Sequence, residues 1–153
     1  MYKILFVCHG NICRSPMAEF VMKDMVKKAG LEWQVEVASA ATSSEEYGSP
    51  VHRGTREKLR SVGISCVGKT ARTMIRRDYN EYDLLIGMEK YNLRNMQRIC
   101  GGDPEGKMHL LLEYAGQSGD IADPYYSGDF DATYRDVVEG CSALLEAIKR
   151  GEI

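Results

Sequence analysis

Nothing in the sequence supplies a disulfide framework. Its five cysteines (Cys8, Cys13, Cys66, Cys100 and Cys141) are odd in number and no two stand as C-x-x-C, which also argues against a structural zinc site. No apolar run approaches the ~18 residues of a membrane-spanning helix. The opening stretch MYKILFVCHG lacks the long apolar centre and small-residue cleavage site of a signal peptide. The expected location is therefore cytoplasmic, with no membrane partner. Charge of one sign is not in excess either: a net charge of −2 gives no electrostatic footprint for nucleic acid. His9, His52 and His109 show no metal-ligand spacing, so no metal and no cofactor is implied.

What remains is an average globular composition, 44% hydrophobic and 27% charged in 153 residues, which fits one domain over residues 1–153. Residues 2–7 (YKILFV) read as a buried strand, and Ser15-Pro16 as a helix start with Ser15 as N-cap. Ala18, Val21, Met22, Met25 and Ala29 then share one helical face, with Glu19, Lys23, Lys27 and Lys28 largely on the other. Residues 33–38 read as a half-buried strand and 52–62 as an amphipathic helix closed by Gly63. Residues 82–88 read as a strand, 89–99 as a helix and 108–112 as a further strand or buried segment. A stripe from Phe130 through Val137, Cys141 and Leu144 to Ile148 marks a final helix. Strands alternating with helices predict an α/β domain with a parallel sheet.

The segment CHGNICRSP, residues 8–16, lies between the first strand and the first helix. A loop feeding a helix N-terminus turns its backbone N–H groups inward and makes a cavity for a tetrahedral oxyanion. The expected ligand contacts are the amides of His9, Gly10, Asn11, Ile12 and Cys13, with the planar fork of Arg14 gripping two oxygens. Cys8 would sit beneath the phosphorus as a nucleophilic thiolate, favoured by the amides and by a Ser15 hydroxyl. Gly10 and Asn11 are residue types that tolerate the left-handed backbone such a loop requires.

These residues resemble the signature V-C-x-G-N-I-C-R-S-P of the low-molecular-weight protein tyrosine phosphatases, which follows that family's first strand. The likeness extends to SAATS at 39–43, Ala71-Arg72, YDLLIGM with Asn92-Leu93-Arg94, and the last helix. It implies a central four-stranded parallel twisted sheet in the order 2-1-3-4 with helices on both faces. It also implies hydrolysis of phosphotyrosine and small aryl phosphates through phospho-Cys8, with phosphate and other oxyanions as inhibitors. Asp123, in Asp123-Pro124-Tyr125-Tyr126, would protonate the leaving oxygen and then activate water. Ser39 would support Asn11, and Cys13 would form a disulfide with Cys8 under peroxide. Tyr125 and Tyr126 would clasp the substrate ring. Tyr47 would replace an aromatic wall residue unless Glu45 or Glu46 faces the substrate. The family often has His where Lys69 stands, which leaves part of the supporting network open.

Three other readings compete. Arsenate reductases of the same fold need two further cysteines near residues 80–90, and NEYDLLIGMEK has none. Protein-arginine phosphatases place Thr at the position of Ile12 and Phe at that of Tyr125. The stretch Gly63–Thr70 (GISCVGKT) matches a nucleotide-binding P-loop, but there Gly63 should follow a strand and a helix should open near Lys69.

Overall fold

The computed structural model describes residues 1–153. Strand β1 (Tyr2–Cys8) runs into helix α1 (Arg14–Lys28), which returns the chain to β2 (Val35–Ala41). Helices α2 (Arg53–Ser61) and α3 (Asp78–Glu81) precede β3 (Leu84–Gly87), α4 (Lys90–Cys100) and β4 (Met108–Leu110). A 3₁₀ turn (Leu111–Ala115), a short helix α5 (Pro124–Ser127) and α6 (Phe130–Lys149) complete the chain. The four strands are parallel in the order β2-β1-β3-β4, as the resemblance implies.

Alternation along β1 splits the core into two layers. Ile4, Phe6 and Cys8 face one side, where Met17, Val21 and Met22 of α1 meet Val137, Cys141 and Leu144 of α6. Leu5 and Val7 face the other, against Met96 and Cys100 of α4. Helices therefore cover both faces, and no helix is long and apolar enough to cross a membrane. Because β1 lies between β2 and β3, its C-terminal end opens at the point where the strand order reverses. That crevice is the usual ligand position of an open α/β sheet.

Several local expectations shift. Helix α1 begins at Arg14 with Cys13 in the N-cap position, and no side chain caps it. Ser15 lies inside the first turn, where its hydroxyl bonds Cys8 and Asn11 instead of its own helix. Val26 supplies the buried contact expected of Ala29, which is exposed. Glu19, expected on the solvent face, is buried. The strand read at 33–38 starts and ends later, at 35–41, and the helices α3 and α5 carry no periodicity that four residues could show. Gly63 closes α2 with φ 80°, and no helix opens at Lys69-Thr70, the next being α3 at Asp78, so the P-loop match lacks its structural context.

Gly140 lies where α6 crosses the 3₁₀ turn, and a Cβ there would stand 2.5 Å from Cγ of the buried Leu111. Helix propensity alone would make Gly140→Ala stabilising by about 1 kcal/mol. Overpacking should reverse that sign, giving a loss of about 1–3 kcal/mol in urea unfolding; a raised midpoint would refute the close packing.

Candidate active site

The loop after β1 reverses at Asn11, whose φ of 58° makes it the one non-glycine residue in the left-handed region. Gly10, expected to share that conformation, does not adopt it. Asn11 is fixed from three sides. Its Nδ2 donates to Ser15 Oγ (2.8 Å) and Ser39 Oγ (2.9 Å), and its Oδ1 accepts from the Arg72 amide (3.2 Å). Its own amide donates to Cys8 Sγ at 3.3 Å. Since Ser15 Oγ accepts from Asn11, its hydroxyl hydrogen is free to point at Cys8 Sγ, 3.0 Å away. The buried sulfur thus faces two hydrogen-bond donors at the head of a helix.

A charged strap braces Asn11 from behind. Ser39 Oγ donates to Glu19 Oε1 (2.6 Å), and Glu19 also pairs with Lys23 and with Lys69 (3.5 Å). Lys69 Nζ donates to the Ser39 carbonyl (2.9 Å); burial pushes its pKa down, opposed by Glu19. Lys69 therefore completes the network in the place where the family often has His.

Arg14 is only 2% exposed. Its Nη1 donates to Glu89 Oε2 (3.0 Å) and the Ile121 carbonyl (2.9 Å), and its Nη2 reaches Asp123 Oδ2 (3.4 Å). With Nη1 fully engaged, Nε and the second Nη2 hydrogen are the donors left for an anion. Burial works against the charge, but Cys8, Glu89 and Asp123 outweigh it and hold the pKa above its ordinary value. Sequence reasoning missed Glu89. The available signal was an acidic residue just past a parallel strand at the reversal point, with Asn92 Oδ1 accepting from the amides of Met88 and Glu89 (both 3.0 Å).

The cavity above Cys8 has a volume of about 160 Å³. Arg14 and the loop residues form its floor, and Asp123, Tyr125 and Tyr126 contribute to its wall. Asp123 caps α5, its Oδ1 accepting from the Tyr125 amide (3.0 Å), which leaves Oδ2 toward Arg14. The Tyr125 and Tyr126 rings pack edge to face, 5.3 Å apart, and His52 joins Tyr125 to Phe130. Tyr47 does not line the cavity: at 72% exposure it points into solvent, and Glu45 and Glu46 hold the rim instead. Cys13 also lines the cavity, but burial, then the neighbouring Cys8 and Asp123, push its thiol up to about 12.

The sequence model described as low molecular weight phosphotyrosine protein phosphatase matches residues 3–152. The chain belongs to this family. It is 38% identical over 152 residues to the low molecular weight protein-tyrosine-phosphatase YfkJ of Bacillus subtilis, covering 98% of this chain and 97% of that protein. The crystal structure of YfkJ superposes with a TM-score of 0.96, covering 100% of this chain and 98% of that one at 37% identity. The Staphylococcus aureus phosphatase PtpA is 33% identical over 97% of this chain and 94% of its own length. A crystal structure described as Drosophila arginine phosphatase also matches, with a TM-score of 0.86 at 32% identity over 96% of this chain and 98% of that one. The phosphatase fold alone therefore does not choose between phosphotyrosine and phosphoarginine; the residues around the cavity must.

Asn11→Ala removes the three side-chain hydrogen bonds and forces a Cβ-bearing residue without an amide into the left-handed region. A loss of about 2–4 kcal/mol in denaturant unfolding is expected. Asn11→Gly should recover about 1 kcal/mol of it by relieving the backbone alone; equal losses would show that the conformation costs nothing.

Proposed function

We propose that this family member is a cysteine-dependent protein tyrosine phosphatase in which Cys8 is the nucleophile, Arg14 and the amides of residues 9–13 bind phosphate, and Asp123 is the general acid and base. The observation that carries the reading is the Cys8 sulfur held under two donors at the floor of a cavity that also contains Arg14 and Asp123. In the first step Sγ attacks phosphorus, the ester P–O bond breaks, and Asp123 gives its proton to the departing phenolate. In the second, the Asp123 carboxylate takes a proton from water as that water attacks phosphocysteine, releasing phosphate and restoring the thiolate. Phosphate and related oxyanions, as product and mimics, should inhibit by occupying the same cradle.

Tyrosine is favoured over arginine by Ile12 and Tyr125 at the two positions where the arginine-specific relatives differ. Tyr125 and Tyr126 give an aromatic ring apolar faces to lie against. Cys13, in the same cavity, is the proposed redox partner. Peroxide would convert Cys8 to a sulfenic acid, and condensation with the Cys13 thiol would release water and close a disulfide. The five free thiols suit a reducing compartment such as the cytoplasm.

Cys8→Ser should abolish turnover of p-nitrophenyl phosphate, and an active variant would remove Cys8 from the chemistry. Asp123→Asn should slow phenyl phosphate by about 10²–10⁴-fold while slowing esters of acidic phenols far less; equal losses would mean another group protonates the leaving oxygen.

A further inference from the structure

The cavity binds an anion, yet its lining is not cationic. Arg14 is the only lysine or arginine lining it, and its charge is already matched by Glu89. Against it stand three lining carboxylates: Asp123, Glu45 and Glu46. Asp123 has its place in the proton transfer. Glu45 and Glu46 have none; Glu45 pairs with His9 of the phosphate loop, and the stem of Glu46 packs against Gly10 of the same loop. Glu45 Oε2 lies 3.2 Å from His9 Nε2, and its amide donates to Ser43 Oγ (3.0 Å). The Glu46 stem lies over Gly10, its Cγ 3.6 Å from where a Cβ would stand, and its Oε2 accepts from Ser49 Oγ (3.0 Å). The two carboxylates thus line the cavity that a doubly charged phosphate ester must enter.

Such a lining repels a bare dianion. It favours a dianion whose substrate brings its own positive charge close to the phosphate over one that brings none. We infer that Glu45 and Glu46 determine specificity, selecting phosphotyrosines flanked by lysine or arginine and rejecting those flanked by acidic residues. The inference rests on the phosphatase reading above and names the substrate class of the same site. The aromatic wall of Tyr125 and Tyr126 would hold the ring, while the acidic rim reads the residues beside it. Exposed charges act through a screened field, so the preference should weaken with salt.

The test uses the full chain and two synthetic phosphotyrosine peptides of equal length, one with Lys and Arg on both sides of the phosphotyrosine and one with Asp and Glu. At low ionic strength kcat/KM should favour the basic peptide by about 10-fold. The ratio should fall to about 2–3-fold in about 0.5 M salt and in the double variant E45Q/E46Q. A wild-type ratio near one or reversed overturns the inference, and so does a ratio that the double variant leaves intact. Should the double variant fold poorly, the single exposed change Glu45→Gln must still lower the ratio at low salt; an unchanged ratio there overturns the inference as well. Turnover of p-nitrophenyl phosphate by the wild type separates the two claims. No turnover defeats the phosphatase reading itself, whereas turnover without a peptide preference defeats only the role of the rim.

Discussion

The left-handed turn at Asn11 is the constraint on which the site depends. A strand that ends in a buried sulfur must reverse within five residues and deliver a helix whose first residue is Arg14. A non-glycine residue reaches that conformation only at a cost, and here the side chain offsets it by bonding Ser15, Ser39 and the Arg72 amide. Those bonds also orient the donors: Asn11 turns its own amide toward Cys8 and leaves the Ser15 hydroxyl hydrogen to do the same. The conformation of the loop and the donors at the sulfur are therefore set by one residue.

Behind that turn the buried charges of Glu19 and Arg14 are each paired. Glu19 is offset by Lys23 and Lys69, and Arg14 by Glu89 and Asp123. A buried ion pair contributes little net stability, but removing one partner is costly, so such pairs act chiefly to fix geometry. For Arg14 the consequence is functional. Nη1 is fully engaged by protein and Nη2 reaches Asp123, which holds the guanidinium in place with Nε and one Nη2 hydrogen left for an oxyanion.

The fold was legible because its signals are local. Apolar alternation in β1 and the stripe along α6 each report their own burial, and Cys8, Gly10, Asn11 and Arg14 lie within one turn-and-helix segment. Ser15 shows where a local rule loses: its hydroxyl is a good cap for a helix, but Cys8 and Asn11 compete for it and the helix starts two residues earlier. Glu19 and Glu89 could not be read at all from periodicity. Glu19 lies on the polar side of its helix and is buried by Ser39 and Lys69, while Glu89 meets Arg14 across 75 residues of chain. Tyr47 fails for a related reason, since residue type does not say which side chain of an irregular loop turns toward the cavity and which toward water.

The central claim is that phosphate passes through a covalent bond to one sulfur. Rapid acid quenching of the wild-type chain during turnover of p-nitrophenyl phosphate, followed by peptide mass analysis, tests this most directly. The account requires one phosphoryl group on the peptide bearing Cys8, located on that sulfur. A phosphoryl group on any other residue would contradict it, as would transfer of phosphate to water with inversion of configuration at phosphorus, the mark of a single displacement.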